Sequence, residues 1–281
     1  MNFTIFIRYF QQKTVSFQKI GVPNLVLLKR YKKCFLDIIT SEFKEKFLKR
    51  EPMIPKNGCI IIPAFNEEKY ISNVVNLSTQ FLPTLVIDDG SKDTTAIIAE
   101  KNGARVFIQN PNQGKGAALQ RGFKEALQMN YDFSITIDAD GQHDVHEVHK
   151  FLLLYEKESP DLIIGFRDFS LMPFSRKLAN SIGKWAFSWA MGMRILDNQS
   201  GYRLLSKRLM ENVLQSDEVG FEFEVEVIVT CLKSGLSIGW VPIETIYGDE
   251  KSHIKPLNHI KNFFRIVLQT RKRMREKKSN L

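Results

Sequence analysis

"SITIDADGQHD" (Ser134–Asp144) sets two carboxylates, Asp138 and Asp140, one residue apart at the end of an apolar run. An isolated D-x-D before glycine is an ordinary turn closing a strand, because Asp and Gly both suit tight bends. The neighbours change that reading. "FSITID" (Phe133–Asp138) reads as a short buried strand, and similar runs stand at "CIII" (Cys59–Ile62), "TLVID" (Thr84–Asp88), "RVFI" (Arg105–Ile108) and "DLIIG" (Asp161–Gly165). Helical patterns separate them: Glu68–Thr79, a helix from an N-cap at Asp93 to a stop at Gly103, Gly114–Gln128, and a stretch with apolar Val145, Val148, Leu152 and Tyr155. Strands alternating with helices predict an α/β fold, a mostly parallel sheet flanked by helices on both faces.

In such open sheets ligands gather beyond the carboxyl ends of the strands. Three strands end in polar sequence: the first in "PAFNEE", the second in "DDGSKDTT", the fourth in "DADGQH". Acids crowded at neighbouring strand ends repel one another unless a cation or donors lie between them. A divalent metal gripping a phosphorylated ligand therefore outweighs the plain turn. In a strand, residues i and i+2 share a face, so Asp138 and Asp140 can aim at one ion.

Composition sets bounds. A hydrophobic share of 43% and a charged share of 25% suit a soluble globular chain, and 281 residues suffice for one large domain. Three scattered cysteines, Cys34, Cys59 and Cys231, without a C-x-x-C pair, exclude a disulfide framework and a cysteine zinc site. The net charge of +9 is uneven: residues 1–50 hold 11 Lys/Arg against 3 Asp/Glu, and residues 261–281 hold 8 against 1, leaving the body acidic. Prolines in "REPMIPKNG" mark a boundary, which predicts a basic, helical N-terminal extension over 1–55, a main domain over 56–260 and a basic C-terminal helix or tail over 261–281. No run reaches the roughly 18 apolar residues of a membrane span, and the N-terminus lacks the pattern of a signal peptide. The expectation is a cytoplasmic protein whose basic ends, rather than its body, meet a polyanion.

The ordered set "IIIPAFNEE", "IDDGSKDTT", "NQGKGAALQRGF", "DADGQH", "IGFR" and "DNQSGYRLL" resembles the family 2 glycosyltransferases of GT-A fold, and within them the dolichyl- or polyprenyl-phosphate mannose and glucose synthases. The resemblance covers roughly residues 58–255. It implies an inverting transfer of a hexose from a UDP- or GDP-sugar to a polyprenyl phosphate, aided by Mg²⁺ or Mn²⁺. By the same resemblance Asp138, Asp140 and Gln142 hold the metal, Pro63, Ala64, Asn66 and Glu67 form the first nucleotide loop, and Asp88 or Asp89 recognises the base. Lys115, between two glycines at a helix start, suits an anion. Arg167, Arg176 and Arg203 are placed for the diphosphate or acceptor, since guanidinium grips phosphate well. "YGDEKSHIKP" matches a loop that brings Lys251, Ser252 and His253 to the diphosphate. "DVHE" after "DGQH" departs from the family's usual proline and acid there.

"FEFEVEV" (Phe221–Val227) alternates acids with apolar residues and reads either as an amphipathic strand or, by resemblance, as an acceptor-side acidic motif with Glu222 and Glu224. With Asp140 and Asp197 these are the candidate catalytic carboxylates. A hydroxyl acceptor would need one of them as a base, whereas a lipid phosphate is already an oxyanion. His143, His146 and His149 step by three, which on a helix drifts about 60° per step, so they do not converge on zinc. The basic ends and the aromatic "KWAFSWAMGM" predict peripheral contact with the cytoplasmic face of an anionic membrane, with no nucleic acid partner. Two rival readings stand beside this one: the same donor chemistry onto a glycan or lipid-linked sugar hydroxyl, and a non-catalytic polyanion-binding protein.

Overall fold

The computed structural model describes residues 57–167, 174–215, 223–244 and 256–278, and within these not the side chains of 174–181, 256–262 and 276–278. All lie in the unit Ile54–Leu281. The expected N-terminal extension falls outside the described residues.

The chain alternates as its patterning requires: β1 (Gly58–Ala64), α1 (Ile71–Ser78), β2 (Thr84–Asp88), α2 (Thr95–Lys101), β3 (Arg105–Ile108), α3 (Lys115–Gln128), β4 (Phe133–Thr136), a 3₁₀ turn (Val145–Glu147) and α4 (Val148–Glu158). There follow β5 (Leu162–Arg167), α5 (Phe174–Met191), β6 (Arg203–Ser206), α6 (Lys207–Val213), α7 (Phe223–Lys233), β7 (Ile238–Ile243) and α8 (Pro256–Lys278). The seven strands form one sheet in the order β3-β2-β1-β4-β6-β5-β7. β1 runs parallel to both β2 and β4. β6 is the exception, antiparallel to β4 and to β5, while β7 returns to parallel alongside β5. The α/β expectation holds.

Strand geometry explains why β1 is apolar throughout. Ile60 and Ile62 enter the core under α1 and α4, with Val75, Val148 and Phe151. Cys59 and Ile61 point the other way, into the core formed with α3 and α5 through Phe123 and Phe187. A strand buried on both faces has no polar alternate positions. Gly122 lets α3 approach closely, since a Cβ there would lie 2.5 Å from an Ile61 methyl.

Three local readings change. The helix after β2 is capped at Thr94, with the Asp93 carboxylate one step earlier still accepting the Thr95 amide at 3.0 Å. β4 stops at Thr136, so Asp138 and Asp140 lie in a turn and not on one strand face. The described part of "FEFEVEV", Phe223–Val227, is helical: α7 starts at Phe223. Phe223, Val227, Ile228 and Cys231 are buried at helical spacing, and the acids Glu224 and Glu226 occupy the first turn, where the helix dipole favours negative charge.

Candidate active site

β2, β1 and β4 are neighbours in the sheet, so their carboxyl ends lie side by side, and Asp138 follows the end of β4 by two residues. Lys115, the first residue of α3, places its ammonium 2.6 Å from Asp138 Oδ1 and 3.1 Å from Glu224 Oε1. His143 Nε2 lies 3.6 Å from the other Asp138 oxygen, and its Nδ1 is buried without a hydrogen-bond partner. Gly201, two residues before β6, packs against the carboxylate: a Cβ there would sit 2.6 Å from Asp138 Oδ2. Burial alone would raise the Asp138 pKa, but the Lys115 charge and the His143 contact outweigh it and hold the carboxyl well below its usual range. Burial likewise works against the Lys115 charge, yet Asp138 and Glu224 keep the ammonium firmly protonated.

The loops that present Lys115 are fixed from β2. Asp89 accepts from the Gln109 amide at 2.5 Å, from Gln113 N at 2.8 Å and from Gly114 N at 2.7 Å. Asp89 thus shapes the turn into α3, where Gly114 has φ +91°, a region open to glycine. Asp88 accepts the Ser91 amide at 2.7 Å through one oxygen, and its second oxygen takes no hydrogen bond among the described residues. Of the pair, Asp88 keeps acceptor capacity for a ligand. The β1 loop is tied to the same region. Ala64 O receives the Asp89 amide at 2.8 Å, and Pro63 pairs in register with Ile87. Asn66, at φ 57°, accepts the Lys92 amide at 2.8 Å, and the Glu67 amide donates to Thr95 Oγ1 at 2.8 Å.

The basic residues divide by role. Arg203 is buried, and its guanidinium donates to the carbonyls of Ser200 (2.7 Å), Asn198 (3.1 Å) and Glu224 (2.5 Å). It holds the loop before β6 against the start of α7, buried away from solvent at 3% exposure. Arg167 forks onto Asp197 at 2.8 and 3.1 Å, and Asp197 also accepts Gln199 N and Ser200 N. Asp197, expected as a possible base, is a buried loop anchor. The side chain of Arg176 and the whole of Glu222, Lys251, Ser252 and His253 lie outside the described residues. Among the described residues the three histidines do not converge: His149 Nδ1 meets His146 O at 2.5 Å, while His143 faces Asp138.

Sequence reasoning missed His143 and Gly201 as neighbours of Asp138. His143 falls in the three-step histidine series, whose spacing says nothing of Asp138, and Gly201 lacks a side chain to mark it.

No group of three His, Cys, Asp or Glu that could hold a metal occurs among the described residues. Asp138 and Asp140 with the Gln142 amide would still fit Mg²⁺ or Mn²⁺. These are hard oxygen donors, and Mg²⁺ often takes only one or two carboxylates, completing its shell with phosphate and water. Asp138 already carries a cationic partner in Lys115, which shows that its oxygens face positive charge. Asp140 accepts the backbone N–H of Gln142 at 2.9 Å, which closes the turn that follows Asp138 in sequence.

Solved structures share this fold. Glucosyl-3-phosphoglycerate synthase from Mycobacterium tuberculosis, solved with UDP, superposes with a TM-score of 0.60 at 23% identity, over 78% of this chain and 80% of that one. Its complex with Mn²⁺, UDP and phosphoglyceric acid gives 0.60 at 20% identity, over 77% of each chain. The fold is therefore GT-A, that of nucleotide-dependent glycosyltransferases. Residues 59–211 match the model of glycosyl transferase family 2, and the chain belongs to that family of enzymes. The UDP-N-acetylglucosamine–dolichyl-phosphate N-acetylglucosaminyltransferase of Methanococcus voltae is 32% identical over 68% of this chain and 86% of its own. The polyprenol monophosphomannose synthase of Mycolicibacterium smegmatis is 28% identical over 66% of this chain and 75% of its own.

Proposed function

We propose that this glycosyltransferase moves a hexose or N-acetylhexosamine from a UDP- or GDP-sugar to a polyprenyl or dolichyl phosphate, with inversion, at the cytoplasmic face of a membrane. The observation carrying it is the Asp138–Lys115–Glu224 cluster at the carboxyl end of β4, a cationic group held between two carboxylates where a diphosphate would lie. The names of the relatives, dolichyl phosphate and polyprenol among them, support the acceptor class.

The chain's own residues do the following. Asp88, with acceptor capacity left, receives the donor's base beside the Pro63–Glu67 loop. Lys115 offsets the charge that gathers on the departing diphosphate. Asp138, Asp140 and Gln142 would hold Mg²⁺ or Mn²⁺, which supplies Lewis-acid stabilisation of that charge. The acceptor oxygen attacks the anomeric carbon from the face opposite the nucleotide. Asp197 is committed to Arg167 and Glu224 to Lys115, so neither stands ready as a base. A phosphate oxyanion needs none. A hydroxyl acceptor remains the second reading, favoured by the fold likeness to an enzyme crystallised with phosphoglyceric acid.

The test is sugar transfer to a short polyprenyl phosphate from a panel of UDP- and GDP-sugars, with Mg²⁺, Mn²⁺ or EDTA, beside Asp140→Asn. Metal-dependent product from one donor, lost in the variant, is expected. Donor binding without transfer would sink the lipid-phosphate acceptor, and no donor binding at all would sink the reading entirely.

A further inference from the structure

Nine large apolar side chains are markedly exposed among the described residues, and five of them, Ile182, Trp185, Trp189, Phe264 and Leu268, belong to α5 and α8. Trp185 is the most exposed, at 72%. At 3.6 residues per turn, Ile182, Trp185 and Trp189 fall within about 60° of arc on α5, and Phe264 and Leu268 within about 40° on α8. The two helices pack side by side: Phe187 meets Phe263 edge-on at 5.6 Å, and the Arg271 guanidinium stacks 4.9 Å over Trp189 while donating to its carbonyl at 2.9 Å. A water-facing aromatic band spread over two packed helices is not a folding requirement, because each helix already buries its other face through Phe187, Ala190 and Val267.

The charge on these helices selects the occupant. α5 holds three Lys/Arg and no acid, and α8 holds eight against one. Lys272 and Arg275 are exposed on α8 within about 40° of Leu268. A second copy would bring the same positive charge to the interface, and residues 1–50 of this chain are themselves basic, with 11 Lys/Arg against 3 Asp/Glu. Neither complements the face. A surface with anionic headgroups above an apolar interior does, and Trp favours that boundary.

We infer that the α5–α8 face is the surface by which the protein seats itself on an anionic lipid bilayer, with Trp185, Phe264 and Leu268 entering the interface and Lys272 and Arg275 meeting headgroup phosphates. The inference rests on the lipid-phosphate acceptor proposed above. The seat is coupled to the site. Arg273 of α8 clasps Glu226 through both guanidinium nitrogens, one at 2.8 Å, and Glu226 lies two residues from Glu224 in the first turn of α7. Docking α8 therefore fixes where the Lys115–Glu224 contact stands above the membrane.

The full chain is sedimented with phosphatidylcholine vesicles and with vesicles containing phosphatidylglycerol, at low and high salt, and its association state is followed by ultracentrifugation. The variants are Trp185→Glu/Leu268→Glu, Lys272→Glu/Arg275→Glu, and a control, Ile97→Glu/Ile108→Glu, at the β3 edge. Wild type is expected to bind the anionic vesicles in a salt-sensitive way. Each of the first two variants should bind at least about tenfold more weakly, since one Lys or Arg near such a surface adds about fivefold, and the control should bind as wild type. Transfer to a water-soluble short-chain acceptor separates the two proposals. If transfer fails in wild type while vesicle binding follows the variants, the acceptor reading falls and the docking face stands. If transfer works and both variants bind vesicles like wild type, the docking face is overturned. A wild-type dimer that ignores vesicles and is split by Trp185→Glu/Leu268→Glu would also overturn it, assigning the face to a second copy.

Discussion

Asp138, half-buried, and Asp161, buried, both stand beside the sheet and each meets a cationic side chain, yet they sit at opposite ends of the strands and are satisfied in opposite ways. Asp161, before β5, receives Arg208 on both oxygens at 2.9 and 3.1 Å, Ser206 Oγ at 3.0 Å, and the Ser237 amide and hydroxyl at 3.1 Å each. Its acceptor capacity is filled by groups that join β5, β6 and β7. Asp138, beyond the carboxyl end of β4, meets Lys115 and His143 among the described residues, with its carboxylate a quarter exposed. A saturated carboxylate staples a fold. One that faces positive charge with room beside it is disposed to bind. The same residue type thus means different things at the two ends of one sheet, in line with where open α/β sheets place ligands.

The sharpest way to break this contrast is a pair of isosteric changes. Asp138→Asn is expected to lower transfer by about a thousandfold, the range for removing a group that supports developing charge, while the domain still folds. Asp161→Asn is expected to do the reverse. It weakens the acceptor that Ser206 and Ser237 share, as the exposed Arg208 turns to water, costing about 1–3 kcal/mol of stability by urea unfolding, while the protein still folded at low temperature transfers normally. If Asp161→Asn abolished transfer in folded protein, or Asp138→Asn unfolded the domain, the division between the two ends would be wrong.

Gly201→Ala sharpens the comparison from the backbone side. The new methyl would lie 2.6 Å from Asp138 Oδ2, so the carboxylate must swing or β6 must shift. The backbone there is ordinary for L-residues, so the fold should tolerate alanine. Transfer is expected to fall by about tenfold to a hundredfold through misplacement of Asp138, with donor affinity measured by calorimetry falling less. An alanine variant of full activity would mean that the Asp138 position is not critical.

A third change tests a staple on the acceptor side. Glu226→Gln removes the carboxylate that Arg273 grips and is expected to cost about 1–3 kcal/mol in thermal unfolding. A fully stable variant would show that α8 is held by apolar packing, Val267 and Phe263, alone.

These contrasts also mark what the sequence could say. The donor half was legible because β1, β2 and β4 are parallel, buried on both faces and locally apolar, and because polar ligand-facing residues follow each strand at once. "PAFNEE", "DDGS" and "DADGQH" announce themselves for that reason. The other half was not. β6 is a four-residue strand whose Arg203 is buried and donates to carbonyls 198, 200 and 224, bracing contacts that no local pattern shows. "FEFEVEV" mimics a strand because acids alternate with apolar groups, but burial at Phe223, Val227 and Cys231 follows helical spacing once the acids are seen to sit in a first turn. Asp197 looked like a base because its partner Arg167 lies 30 residues away, a separation no local pattern reveals.

The smallest effect concerns acid. Burial tends to raise the Asp161 pKa, but Arg208, Ser237 and Ser206 together hold it below the usual value. An unfolded aspartate titrates near about 3.9. A depressed folded pKa means the native state binds fewer protons than the unfolded chain there. The stabilisation is thus complete above about pH 5 and is lost as pH falls through 4 toward the folded value. Urea midpoints between pH 6 and 3 should drop more steeply for wild type than for Asp161→Asn, which has no carboxyl to protonate at that position. Parallel acid limbs would mean that the Asp161 staple draws its strength from geometry rather than from charge, and would leave Asp138 as the carboxylate in the comparison whose ionisation matters.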